Sequence, residues 1–140
     1  MIEEQDQINA EGDRRPRLLI ADDDAVVRST LSAQLSGDFE IVAAAKDTAA
    51  AIALAEEHRP DAALLDVEMP GGGGLEAVQQ ISRRFPSICL VILSADESRQ
   101  GVIDLLNAGA TAYVRKGLSG PEIATKLADS LKAQRGLRPS

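Results

Sequence analysis

The chain of 140 residues has no tryptophan, one tyrosine, two phenylalanines, one cysteine and one histidine. With aromatics this scarce the core must be built from Ala, Val, Ile and Leu, the aliphatic set that suits a parallel sheet covered by helices. Cys89 lies inside the apolar run Ile88 to Leu93 and has no second cysteine to pair with, so it reads as a buried core thiol rather than a disulfide or zinc ligand. Basic charge is also short. A net charge of −7 excludes an autonomous nucleic-acid or anionic-membrane binder, which would need clustered Lys and Arg. No run approaches the roughly 18 continuous apolar residues of a membrane span, and the N-terminus lacks a signal-peptide apolar region, so a cytoplasmic location is expected.

What is present is an aliphatic chain of about one domain's length, with 44% hydrophobic residues. Residues 1–15 are polar and read as a disordered tail, residues 16–134 as the domain, and 135–140 as a C-terminal tail or the start of a linker. Apolar runs at Leu18 to Ala21, Ile41 to Ala44, Ala62 to Leu65, Ile88 to Leu93 and Ala112 to Val114 predict five strands, spaced to leave one helix between each pair. Val27, Leu31 and Leu35 mark the first helix, with Asp23 or Asp24 as cap and Gly37 as stop. Thr48 to His58 is the second, ending before Arg59-Pro60. Leu75, Val78, Ile81 and Phe85 share a face of the third, which Pro86 stops, and Val102, Leu105 and Leu106 mark the fourth, ended by Gly109. Ile123, Leu127 and Leu131 mark the fifth, with Ser119 as cap and Pro121 and Glu122 in its first turn, and no further element is expected after Leu131. Five β–α units in succession predict an α/β fold: a single doubly wound (βα)5 domain with a five-stranded parallel sheet.

In such a sheet the C-terminal ends of all strands meet at one edge, where ligands bind. The first strand ends in Asp22-Asp23-Asp24, the third in Asp66, the fourth in Ser94, and the fifth leads to Lys116. Alone, Asp66 is an acid that caps a strand-to-loop turn, Lys116 a solvated surface charge and Asp24 a helix cap. Together, converging carboxylates repel one another unless a cation joins them. A hard divalent ion, best Mg²⁺, fits oxygen ligands that leave room for water and phosphate oxygens. An ammonium and a hydroxyl beside that ion suit a phosphoryl group.

Leu18 to Asp24, Asp66-Val67-Glu68-Met69-Pro70 with Gly74, Ser94-Ala95, and Gly109-Ala110 with Tyr113-Val114-Arg115-Lys116 resemble the receiver domain of bacterial two-component response regulators, the CheY-like superfamily. The resemblance spans about residues 16 to 134 and implies a flavodoxin-like strand order 2-1-3-4-5. It implies Asp66 as phosphoacceptor and Asp22, Asp23, Asp66 and the Glu68 backbone carbonyl as Mg²⁺ ligands. Ser94 and Lys116 then contact the phosphoryl oxygens. Tyr113 is the aromatic switch that follows Ser94 and alters the surface of the fourth helix, fifth strand and fifth helix. The implied partners are a sensor histidine kinase and a second copy docked through that surface. DNA enters only indirectly, through an effector domain, and a membrane not at all. The resemblance implies a phosphorylation-dependent signalling switch, not a metabolic enzyme, standing alone or preceding a helix-turn-helix domain.

Three departures colour this expectation. Gly117 follows Lys116 where many receivers carry a cis proline, and a cis Lys–Gly bond costs roughly 2.5–4 kcal/mol, so the bond is either trans or strained. Acidic Glu68 and Asp96 flank the expected phosphoryl position and are candidate modulators of acyl-phosphate lifetime. Gly71 to Gly74 lacks the Gly-Lys-Ser/Thr of a phosphate loop and reads as a flexible connection. Two rivals remain open: a haloacid-dehalogenase-like phosphatase using Asp22-x-Asp24, with Asp22 as nucleophile, and a phosphorylation-independent interaction module on the same fold.

Overall fold

The computed structural model describes residues 15–95 and 99–136. The N-terminal tail up to residue 14, Asp96 and residues 137–140 lie outside the described residues. Elements alternate along the chain as β1 (Arg17–Ala21), α1 (Ala25–Leu35), β2 (Glu40–Ala45), α2 (Thr48–His58), β3 (Ala62–Asp66), α3 (Gly73–Arg84), β4 (Cys89–Ser94), α4 (Arg99–Ala108), β5 (Ala112–Arg115) and α5 (Gly120–Gly136). The strands form one parallel sheet in the order β2-β1-β3-β4-β5.

Strand alternation divides the core into two layers. Leu18, Ile20, Ala62, Leu64, Cys89 and Val91 face α1 and α5, where they meet Leu31, Leu35, Ile123 and Leu127. Leu19, Ala21, Ala63, Leu65, Leu90 and Ile92 face α2, α3 and α4. That second layer, with three helices against two on the other face, is rich in alanine: Ala51 and Ala55 on α2 and Ala77 on α3 are fully buried.

The helix starts follow their caps. The Asp24 carboxylate accepts the N–H groups of Val26 and Val27 at 2.8 and 3.3 Å, and Asp47 accepts that of Ala50 at 2.8 Å. Ser119 and Glu122 form a reciprocal box, Ser119 N–H to Glu122 Oε1 at 2.9 Å and Glu122 N–H to Ser119 Oγ at 3.3 Å.

Gly37 follows directly on the Ser36 C-cap of α1, where the stop was expected, without a positive φ, and the Leu35 carbonyl takes the N–H groups of Asp38 and Phe39. Three expectations are corrected. Leu75 is 38% exposed, because the buried stripe of α3 runs through Gly74, Ala77, Val78 and Ile81. Leu106 is exposed while Leu105 is buried. The last helix continues past Leu131 to Gly136.

Candidate functional site

Register assembles the site. Ala21 lies opposite Leu65, so the next residues, Asp22 and Asp66, emerge side by side at the C-terminal edge. On the other side Asp66 is opposite Leu93, and Val67 N–H donates to the Leu93 carbonyl at 3.1 Å. Ser94 pairs with Arg115, and Lys116 N–H donates to the Ser94 carbonyl at 2.9 Å. Four site residues, Asp22, Asp66, Ser94 and Lys116, at the ends of four strands are thus set by backbone pairing before any side chain interacts.

Asp22 and Asp66 are buried, each 2% exposed. Lys116 Nζ donates to Asp66 Oδ1 at 3.0 Å, and Glu68 N–H donates to the same oxygen at 3.1 Å. Asp22 Oδ1 accepts the Asp24 N–H at 2.9 Å, whereas its buried Oδ2 has no hydrogen-bond partner. The Arg28 guanidinium donates to the Asp22 carbonyl at 2.7 Å and steadies the turn. Burial raises the Asp22 pKa above its ordinary range, and the neighbouring charges of Asp66 and Asp23 add to this against the Asp24 N–H and Lys116. For Lys116 burial acts downward, but the hydrogen bond it donates to Asp66 and the charges of Asp66, Asp22 and Glu68 outweigh it and raise the pKa.

One carboxylate oxygen from each of Asp22, Asp23 and Asp66 lies within 4.8 Å of the others. A buried carboxylate oxygen without a donor, facing two more carboxylates, is the chemistry of a hard-cation site, and this cluster could hold Mg²⁺. Asp23 is the exposed member.

Ser94 and Tyr113 belong to the opposite layer. Ser94 continues the series Leu90 and Ile92 and is buried, while Tyr113 is half-buried beside it on β5. They border an open pocket of about 270 Å³ that Glu68, Leu75, Val102 and Asp104 also line. The Lys116–Gly117 bond is trans, and Gly117 takes a φ of 99°, a conformation open to glycine.

In the connection Gly71 to Gly74, Gly71, Gly72 and Gly73 have φ of 87°, 119° and 75°, and a Cβ at Gly74 would lie 2.7 Å from Val67 Cα. Thr48, which sequence reasoning passed over as a helix start, is buried against this loop; the signal was a lone β-branched hydroxyl opening an alanine-rich helix.

A family model described as the response regulator receiver domain matches residues 18–128. DevR/DosR of Mycobacterium tuberculosis, described as a DNA-binding transcriptional activator, is 35% identical over 115 residues, covering 81% of this chain and 53% of that protein. The oxygen regulatory protein NreC of Staphylococcus epidermidis is 40% identical over 103 residues, covering 71% of this chain and 47% of that protein. This chain therefore spans about half the length of the curated relatives it matches. Among solved structures, a signal receiver domain of NarL from Mycobacterium tuberculosis superposes with a TM-score of 0.82 at 30% identity, covering 85% of this chain and 98% of that one. Sheet order, the acid edge and these likenesses agree, and the chain belongs to the response regulator receiver domain family of two-component signalling.

Proposed function

We propose that Asp66 accepts a phosphoryl group and that the chain is a phosphorylation-dependent switch. The observation that carries this is a buried Asp66 carboxylate held by Lys116 and Glu68 on Oδ1, beside an Asp22 oxygen that has no donor. Both donors use Oδ1, so Oδ2 is the attacking oxygen. It forms the new P–O bond as the P–N bond of a kinase phosphohistidine breaks, with the electron pair leaving on the imidazole. Asp22, Asp23, Asp66 and the Glu68 carbonyl would hold Mg²⁺, which when bound neutralises phosphoryl charge. Lys116 stays protonated throughout and keeps a positive charge beside the transferred oxygens. Ser94 supplies a hydroxyl on the far side, and Tyr113, bordering the same pocket, follows it when the group arrives.

The partners in this reading are a sensor histidine kinase and a second copy meeting the α4-β5-α5 surface. Any DNA contact belongs to an effector domain of the kind the relative's name describes. The chain then catalyses only the gain and loss of its own phosphoryl group. Glu68, exposed next to Asp66, and Asp96 tune the lifetime of the acyl phosphate.

Incubation with acetyl phosphate and Mg²⁺ followed by intact-mass measurement tests the assignment. Wild type gains one phosphoryl mass, Asp66→Asn gains none, and Asp22→Asn gains it at least tenfold more slowly, in line with loss of a metal ligand. Label that survives Asp66→Asn and vanishes with Asp22→Asn would make Asp22 the nucleophile, as in the phosphatase alternative.

A further inference from the structure

The loop between β3 and α3 carries almost no conformational instruction of its own. Three successive glycines lie at positive φ, and the N-cap of α3 is Gly72, which offers no side-chain cap. No side chain within the run selects this path over others. Yet the loop clamps the peptide next to Asp66. Gly74 N–H donates to the Val67 carbonyl at 2.8 Å, and Gly74 stacks so closely on Val67 that no Cβ would fit. Whatever shapes the loop also places Val67 and Glu68.

The shape is imposed from α2. Thr48 Oγ1 donates to the Gly73 carbonyl at 3.0 Å, and Thr48 N–H donates to the Pro70 carbonyl at 3.2 Å. These two bonds bracket Gly71 and Gly72. Thr48 itself is 2% exposed and sits on a fixed base, since Asp47 already caps α2 through Ala50 N–H. The helix has no need of a hydroxyl at its first residue, and this one bonds out of the helix altogether. Its Cβ also packs 3.7 Å from where a Cβ at Gly71 would be, filling the inside of the bend.

We propose that Thr48 is a positioning residue for the Asp66 site. It fixes the glycine loop and, through the Gly74–Val67 bond, holds the Glu68 N–H on Asp66, and with it the residue whose carbonyl the proposed function assigns to Mg²⁺. The inference deepens the phosphoacceptor reading and depends on it only where phosphorylation is the readout.

Two substitutions in the full chain separate the hydroxyl from the shape: Thr48→Val keeps the branched outline without the donor, and Thr48→Ser keeps the donor. Amide hydrogen exchange is followed by NMR without Mg²⁺. In Thr48→Val the Glu68 and Gly74 amides exchange at least tenfold faster, the Ala50 and Ala51 amides of α2 keep wild-type rates, and Thr48→Ser restores the loop. Mg²⁺ titration of the same proteins then shows affinity lowered about tenfold in Thr48→Val, the usual scale for a residue that orients a ligand from behind, and recovered in Thr48→Ser. Unchanged Glu68 and Gly74 exchange in Thr48→Val overturns the proposal. So does equal acceleration in the first turn of α2, which would make Thr48 a helix residue and nothing more. If acetyl phosphate labels neither wild type nor variants, the phosphoacceptor reading fails while the exchange result still decides the role of Thr48.

Discussion

Asp22, Asp66 and Lys116 share an edge of the sheet with Ser94 and Tyr113, but strand alternation aims the two groups at opposite layers. The acid side is densely tied: Lys116 and Glu68 hold Asp66, Asp24 and Arg28 hold the Asp22 turn, and Thr48 holds the loop. The hydroxyl side borders a pocket of about 270 Å³ under α4. A site that binds a phosphoryl group must be in place beforehand, since misplacement costs rate. A site that reports the event must have room to rearrange. In the proposed switch, residue parity along the strands separates the two tasks.

The largest effects are expected on the acid side, and with opposite signs at neighbouring residues. Lys116→Met leaves buried Asp66 without its cation. A fully buried pair broken this way costs several kcal/mol, but the Lys116 side chain is 32% exposed, so about 2 kcal/mol is expected in urea unfolding at neutral pH. Asp66→Asn in the same background should recover most of that loss. The Lys116 contribution is complete below its ordinary pKa of 10.5 and fades only as pH rises through the raised folded value. Asp22 runs the other way. Its folded pKa lies above the ordinary 3.8, so the folded state binds the proton more tightly and metal-free stability falls as pH climbs through that interval. Asp22→Asn should therefore stabilise the metal-free protein by about 1 kcal/mol, by removing a buried charge and its unsatisfied oxygen. Destabilisation by both substitutions would mean that the acid cluster is structural, and the contrast between a binding side and a moving side would lose its basis.

The strands and the caps at Asp24 and Ser119 could be read from the chain because each depends on local residues: apolar runs bounded by turns, and capping side chains just ahead of helical periodicity; the strand order came from the family resemblance, and the Asp47 cap of α2 was not foreseen. Asp22, Asp66, Ser94 and Lys116 were legible as strand ends. That Ser94 and Tyr113 face the other layer was also available from alternation, since Ser94 follows Leu90 and Ile92 by twos. Thr48 and the glycine loop were not legible. Their relation spans 25 residues and two elements, and glycine, having no side chain, gives no sign of which φ it will take. Leu75 was misplaced because its apolar character fitted the helical stripe, while the actual stripe uses Gly74 and Ala77, residues whose small size is the reason they can be buried there.

A smaller effect tests the hydroxyl side. Val102→Ile adds one methylene toward the pocket, and about 0.5–1 kcal/mol of extra stability is expected from area removed from water. The matched control is Ala77→Val, which adds bulk between α2 and α3 where Ala77 is already fully buried and should cost at least about 1 kcal/mol through overpacking. Thermal unfolding of the pair reads the difference directly. Equal losses in both variants would show that the space under α4 is as full as the alanine layer, and the hydroxyl side would have no spare room to move into.

The smallest expected effect marks the boundary of the site. Ser119 and Glu122 close the start of α5, three residues beyond Lys116, yet they touch neither the acids nor the pocket. Ser119→Ala should lower stability by about 0.5–1 kcal/mol, as cap losses do, and leave acetyl phosphate labelling of Asp66 at the wild-type rate. The bonds to Ser119 lower the Glu122 pKa, so this contribution is present above the ordinary value of 4.5 and lost as pH falls through the lower folded value. The stability difference between wild type and Glu122→Gln should shrink in that acid window and nowhere else. Thr48→Val makes the opposite pairing, with a small stability change and slowed labelling. Labelling slowed to the same degree by Ser119→Ala would mean that the loop after Lys116 is tuned through its helix cap, and the acid side would extend one element further than its hydrogen bonds do.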